Sequence, residues 1–528
     1  MLYLRVSLTV RYIFLIWLVL TLINLTKAYH IDDTFHLEAA ANIKENPLRP
    51  MSGYIIWDDI PRPMYQHNQP PLFFYIMMVT QLFWGQSEIV MHLLLSVFTF
   101  ISLLYFSKIC KLLKIEDNKS LLLLFGFCPA FIINQNVMTD VPILSIMMSA
   151  YYYLIKGQIG NSTKYYIRSS LLLSVGLLIK YSILPFLIVI FLTALLSKQY
   201  KNILVVFIPL LILSLWSLWN KYEYGAIHIL SRPKIIFNYK LIFGFLSTVG
   251  SLSFFTFLYA RSILFDDLKK GIITIFLAVL ALYLMHKYLI HKISIDGILS
   301  LIFITNGILL YVVLFIKTIQ LVVINKFRFF KLPSFPLIIG IFGISLFIVL
   351  YAPFNATRHV LIIIPLILLF GYLNFKIIRD KILYATISIT MFLGLLLALA
   401  DWNYADFYRR TPSLIKKGDE TYWSIGLWGW KWYSKKAGMV IYSSTDSAKL
   451  KRGDYIVYPK YVPKQEFPKN IEVAVVEQYI HKPGIFTYLS VHNARFYNSS
   501  FNKPSWTFFD ASYDTIYVLK IIKIKNRL

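Results

Sequence analysis

Asp32 and Asp33 stand side by side in His30-Ile31-Asp32-Asp33-Thr34-Phe35-His36-Leu37-Glu38-Ala39-Ala40, directly after the first apolar segment. Six of the chain's 26 carboxylates (Asp32, Asp33, Glu38, Glu45, Asp58, Asp59) fall between residues 29 and 71. An acidic pair at a membrane boundary is costly and usually has a role. Such a carboxylate can accept a proton from an attacking hydroxyl, stabilise a cationic sugar centre or hold a divalent metal. Asp followed by Thr-Phe-His-Leu-Glu also reads as a helix start. The two readings are compatible.

Further candidates follow along the chain. In Gln66-His67-Asn68-Gln69-Pro70-Pro71-Leu72 the double proline fixes the chain before an apolar helix and leaves Pro71 near its first turn. His67 and Asn68 then sit at the interface beside the Asp pair, or simply form a turn. Asp140, in Asn136-Val137-Met138-Thr139-Asp140-Val141-Pro142, lies between two apolar runs. It is either a helix cap or a second acid facing the same cavity. Lys180, followed by Tyr181, and Arg358, followed by His359, are cations at helix ends. Each could partner a phosphate or act as a snorkelling anchor. His228 follows Tyr224-Gly225 in a loop, where an uninvolved histidine is the competing reading.

These residues must be held by membrane helices. Over 528 residues, 58% are hydrophobic and only 15% charged, which describes a polytopic membrane protein. Apolar runs near 6–26, 88–107, 120–136, 141–155, 167–179, 182–197, 203–219, 241–260, 271–285, 297–316, 333–352, 359–374 and 383–400 predict about thirteen transmembrane helices. The first is read as a retained helix, since no small-x-small cleavage pattern follows it. Pro71–Gly85 spans ~21 Å as a helix. Reading it as interfacial leaves 21 basic residues in inside loops and 12 in outside loops before residue 401. That assignment satisfies the positive-inside rule better than making it a span. It puts the 27–87 loop, Asp140, Lys180, Arg358 and the C-terminal tail on the outer face.

The net charge of +27 suits inner-face loops and anionic lipid. Basic residues scattered between apolar spans argue against a nucleic-acid partner. Cys110 and Cys128 support neither a disulfide framework nor a thiolate metal site. From Asp401 the chain turns polar, with β-like runs at Met439–Tyr442, Tyr455–Tyr458, Ile471–Val476 and Thr515–Ile524. The sequence therefore predicts a transmembrane domain over 1–400 and a small extracytoplasmic α/β domain over 401–528. The tail holds 20 Lys and Arg against 11 Asp and Glu. That excess suits anionic lipid or an anionic acceptor, and equally a generic basic surface.

Taken in order, these residues resemble the family-39-type glycosyltransferases of the GT-C fold. That group includes the aminoarabinose transferases of lipid A and, more distantly, the protein O-mannosyltransferases. The resemblance is carried by Asp32-Asp33 with Phe35, Gln69-Pro70-Pro71-Leu72-Phe73-Phe74, Thr139-Asp140, Gly176 to Lys180-Tyr181, and Arg358-His359-Val360-Leu361 with Pro365. The segment from Gly426 to Tyr433 is similar to external tails of some members. The mannosyltransferases have Asp-Glu where this chain has Asp-Asp, and two residues separate His67 from the prolines. These departures leave acceptor identity and divalent-metal use open.

The resemblance implies a polyprenyl-phosphate sugar donor and a lipid, glycan or protein acceptor. It implies Lys180 and Arg358 on the donor phosphate, Asp32 as base, and Asp33 or Asp140 nearby. His67, Asn68, Tyr181 and His228 would line the cavity. The protein would sit in the inner or plasma membrane with its site outside the cytoplasm. A transporter or flippase of lipid-linked glycans is the alternative. It is disfavoured because the acids cluster at one face and no inverted repeat is visible.

Overall fold

A computed structural model describes residues 8–67, 69–231, 238–266, 295–416, 418–481, 489, 496–498, 503–508 and 514–525. The chain opens with α1 (Leu8–Asn24) and α2 (Asp33–Glu45). An antiparallel hairpin follows, β1 (Tyr54–Ile56) and β2 (Pro61–Pro63), with Ile55 opposite Arg62. The single turn α3 (Met64–His67) leads into α4 (Leu72–Trp84) and α5 (Glu88–Leu112). Pro71 precedes the first residue of α4, where its missing N–H costs nothing. The Leu72 N–H donates to the Leu178 carbonyl at 3.0 Å, fixing the start of α4 two residues from Lys180.

The helices α6 (Asn118–Gly126), α7 (Pro129–Ile133), α8 (Asp140–Gly160), α9 (Thr163–Leu177) and α10 (Pro185–Leu196) come next. The run expected as one helix over 120–136 is broken at Cys128, because Pro129 cannot continue the backbone ladder. After α11 (Phe207–Tyr224) come α12 (Tyr239–Leu252) and α13 (Thr256–Asp266), which meet at a 92° bend. The single helix expected over 241–260 is therefore two. The run at 271–285 lies outside the described residues.

The remaining apolar helices are α14 (Ile295–Asn325), α15 (Phe335–Tyr351), the short α16 (Thr357–Val360), α17 (Ile364–Asn374) and α18 (Lys381–Leu414). Helices α12 and α14 touch backbone to backbone at Gly250 and Gly307. A Cβ on Gly250 would lie 1.8 Å from the Phe303 carbonyl oxygen. Asp380 caps α18, accepting from the N–H groups of Ile382 and Leu383 at 3.1 and 3.2 Å.

The chain is a multi-pass membrane protein. Among the described residues four helices are long and apolar enough to cross a membrane, or five if the bent pair is one span. The thirteen spans expected from the sequence are not established by this count. Several other apolar helices, α4 among them, have only 10–17 residues and fall short of the ~20 a perpendicular crossing needs.

Helix α18 carries the chain without interruption through residue 400, where the composition changes. Beyond it lie β3 (Tyr422–Ser424), α19 (Trp428–Lys436), β4 (Val440–Ile441), β5 (Tyr455–Pro459), β6 (Ile471–Ile480) and β7 (Thr515–Ile524). They form one sheet in the order β4-β3-β5-β7-β6. Strand β3 runs parallel to β4 and β5, and β7 runs antiparallel to β5 and β6. Alternate residues face opposite layers. Val457, Ile516 and Val518 pack with Tyr404, Tyr408 and Trp430, and Ile456, Leu519 and Ile521 with Trp423 and Tyr442. The four predicted runs are β4 to β7. Strand β3 lay outside the predicted runs.

Candidate active site

The turn between α1 and α2 aims its two carboxylates in opposite directions. Ile31 takes a left-handed conformation (φ 50°), and α2 begins at Asp33. The helix start expected here is present, but neither acid caps it in the ordinary way. Asp32 stands at the N-cap position and its side chain accepts no capping bond. Its Oδ2 instead pairs with Arg358 Nη1 at 2.7 Å, and the Asp32 side chain keeps 28% of its exposure. Asp33 turns inward and is fully buried; its Oδ2 accepts the His30 N–H at 2.8 Å.

A second carboxylate–cation pair lies alongside. Asp140 is the first residue of α8, and its Oδ1 accepts from Lys180 Nζ at 2.6 Å. The segment before it touches the site repeatedly. The Val137 carbonyl lies 3.2 Å from His36 Nδ1, and Met138 Sδ lies 3.1 Å from Arg358 Nη1. His36 feels the charges of Asp32, Asp140, Lys180 and Arg358 together, and Asp140 feels both cations. Four residues spread over most of the chain thus share one site, with two negative and two positive groups. The buried Arg358 Nε–H has no partner among the described residues, so among them the guanidinium keeps a donor beyond those used on Asp32 and Met138.

Tyr181 and His228 also meet. The Tyr181 hydroxyl lies 3.0 Å from His228 Nδ1 and accepts from Trp216 Nε1 at 2.9 Å. His228 is 3% exposed, so the loop histidine is a packed partner of the residue next to Lys180. His67 ends α3, and Asn68 lies outside the described residues.

Burial drives the His36 ring down to about 4, so it is neutral near pH 7. A carbonyl can only accept, so His36 Nδ1 carries the proton and donates to Val137. Burial likewise pushes the Asp33 carboxyl up to about 8 and the His30 imidazole down to about 4. Among the described residues no group of three or more His, Cys, Asp or Glu side chains could hold a metal ion. Asp32 and Asp140 each carry a cationic partner instead.

Reading along the sequence did not single out His36, Met138, Lys27 or Asp401. Lys27 and Asp401 form an ion pair, with side chains 1% and 0% exposed. One signal was present: each is a charge of opposite sign just beyond the first or the last apolar run before the tail. The segment after the sheet's first strand closes over α2. The buried Lys431 of α19 bonds Glu38 Oε1 at 2.8 Å and the Ile56 carbonyl at 2.9 Å. Tyr433 Oη donates to Glu88 Oε1 and accepts the Tyr29 N–H at 2.7 Å. A Cβ on Gly429 would lie 2.4 Å from the Tyr29 carbonyl oxygen, so only glycine lets α19 approach this turn.

Comparison with solved structures finds distant likenesses. ArnT from Cupriavidus metallidurans, bound to undecaprenyl phosphate, is 12% identical with a TM-score of 0.42 over 97% of each chain. The oligosaccharyltransferase AglB from Archaeoglobus fulgidus, with an inhibitory peptide and a dolichol-phosphate, is 12% identical with a TM-score of 0.44. It covers 85% of this chain and 69% of its own. The apo oligosaccharyltransferase of the same organism is 11% identical with a TM-score of 0.45, over 86% and 70%. Comparison with curated proteins finds no match. The resemblance drawn from the ordered residues is met by a family match: over residues 68–219, which include Asp140 and Lys180, the chain carries the pattern of the dolichyl-phosphate-mannose-protein mannosyltransferases.

Proposed function

We propose that this protein is an integral-membrane inverting glycosyltransferase. It moves a sugar from a polyprenyl-phosphate donor to a hydroxyl acceptor at the outer face of the membrane. One observation carries the reading: the pairs Asp32–Arg358 and Asp140–Lys180 adjoin around His36. The family match over residues 68–219 supports it.

The donor phosphate binds to Lys180 and Arg358, whose N–H groups beyond those on Asp140 and Asp32 remain available to it. The acceptor oxygen attacks the anomeric carbon in line, and its proton passes to the Asp32 carboxylate. The bond from the anomeric carbon to the phosphate oxygen breaks, and the electron pair leaves with the polyprenyl phosphate. Lys180 and Arg358 stabilise the charge that develops there. As the phosphate draws Arg358 towards itself, the Asp32 carboxylate is released from the ion pair and is free to meet the acceptor hydroxyl.

Asp140 holds Lys180 in place, and Tyr181, braced by His228 and Trp216, walls the site. Asp33 shapes the turn rather than meeting substrate. Residues 401–528 are read as an extracytoplasmic unit that closes over the 27–87 loop, with the protein in the inner or plasma membrane. The positive-inside balance of the loops supports that orientation.

The test is sugar transfer by purified Asp32→Asn protein, together with analysis of cellular polyprenyl-phosphate sugars. Loss of transfer with accumulation of one such donor is expected. Full transfer by the variant removes Asp32 as base.

A further inference from the structure

Behind the reacting groups lies a buried polar network that the mechanism does not use. Lys27 has three N–H donors, and all are engaged. One pairs with Asp401, one reaches the Ile133 carbonyl at 3.1 Å and one reaches Asn136 Oδ1 at 2.5 Å. Asp401 Oδ2 also accepts from the Tyr497 hydroxyl at 2.8 Å, and that hydroxyl accepts from Asn136 Nδ2 at 3.0 Å. His30 Nε2 lies 3.8 Å from Asp401 Oδ1, and the His30 ring packs edge-on against Tyr404 and Tyr497.

The network joins two short stretches of chain. One is residues 27–33, whose turn passes through Ile31 at φ 50°. A β-branched residue in the left-handed region is an outlier and persists only where its surroundings over-determine it. Those surroundings are here: Asp33 Oδ2 on the His30 N–H, the Asp33 N–H on the His30 carbonyl at 3.1 Å, and the packed His30 ring. The other stretch is residues 133–140, in which Asn136 opens the run Val137, Met138, Asp140 that touches His36, Arg358 and Lys180.

We infer that Lys27 and Asp401 are positioning residues that fix the Asp32 turn and the Asp140 turn against each other, an inference that rests on the transferase reading above. Neither residue meets substrate. Both act through the backbone on either side, where a displacement of about 1 Å costs up to about a hundredfold in rate.

Removing one partner strands a buried charge and endangers folding, so the test removes both. Full-length protein carrying Lys27→Met with Asp401→Leu is compared with wild type in detergent. Thermal midpoint, kcat per folded molecule and KM for the polyprenyl-phosphate donor are measured. The expected result is an unchanged midpoint, an unchanged KM and a kcat lower by about tenfold to a hundredfold. Wild-type kcat per folded molecule overturns the inference. If the double variant does not fold, Tyr497→Phe decides, since it removes one hydroxyl from the network. A fall in kcat per folded molecule at unchanged KM supports the inference, and wild-type kcat per folded molecule overturns it. Full turnover by Asp32→Asn is a separate outcome that removes the base reading itself.

Discussion

Asp32 and Arg358, from opposite ends of the apolar part of the chain, form an ion pair at 2.7 Å in which the carboxylate stays partly exposed and the guanidinium is nearly buried. That asymmetry suits the proposed roles, a base that meets an acceptor and a cation that meets a lipid-linked phosphate. Asp32→Asn keeps the size of the side chain and can still accept from Arg358. Sugar transfer should fall by about 10²–10⁴-fold, the range of a general base, with the thermal midpoint maintained. Transfer and unfolding assays on one detergent preparation check this.

The Asp140–Lys180 pair lies deeper, with side chains 7% and 13% exposed. Lys180→Met leaves a buried carboxylate without its partner, which costs about 3–5 kcal/mol. Adding Asp140→Asn to that variant should recover most of the stability and none of the transfer. Recovery of transfer as well would mean that Lys180 serves only to neutralise Asp140.

Asp33 gives stability a pH dependence of definite sign. Its carboxyl is raised to about 8 in the fold, against about 3.9 in an unfolded chain. Between those values the folded state holds the extra proton, so this group's contribution is complete below about 3.9 and fades as pH rises towards 8. His30 and His36 act oppositely. Held down to about 4 by burial, they cost stability as pH falls from 6.5 towards 4. Asp33→Asn can still accept from the His30 N–H but no longer titrates, so it should flatten the profile above 6.5 and steepen the loss of stability as pH falls from 6.5 towards 4, where Asp33 otherwise offsets the two histidines. Thermal melts across pH 4 to 9 read both limbs.

Gly429 sits where α19 meets the turn that carries Asp32. Gly429→Ala brings a Cβ to 2.4 Å from the Tyr29 carbonyl oxygen, a backbone atom that cannot swing aside. Overpacking of this kind costs about 1–3 kcal/mol. Transfer should drop along with the thermal midpoint, and hydrogen exchange of the amides at 29–35 should quicken. Unaltered exchange there would mean that the tail does not brace the turn.

Lys431 makes a charged bond to Glu38 and a further bond to the Ile56 carbonyl. Lys431→Met should loosen the hairpin at 54–63 while leaving Tyr433 on Glu88 and Tyr29. Faster proteolysis or exchange within 54–63 is the expected readout. The loss in global stability should be about 1.5–3 kcal/mol, as for a hydrogen bond to a charged group.

Much of this protein was legible in its residues. Composition set the class, because nothing but a bilayer solvates so many apolar runs with so few charges. Period and length marked most helices, and apolar runs marked β4 to β7. Asp32, Asp140, Lys180 and Arg358 stood out because charges at apolar boundaries are rare. What the sequence lacked was partnership. It offered Lys180 and Arg358 as phosphate ligands without indicating that each already leans on a carboxylate. It treated Lys27 as one outer cation among twelve, and Asp401 as the start of a polar tail. Only the tertiary structure brings the first and last apolar segments together, so that Lys27 and Asp401 are buried against each other. Helix periodicity is a local property, readable from neighbours in the chain. The pairing of charges across hundreds of residues is set by how the helices pack, and no local pattern records it.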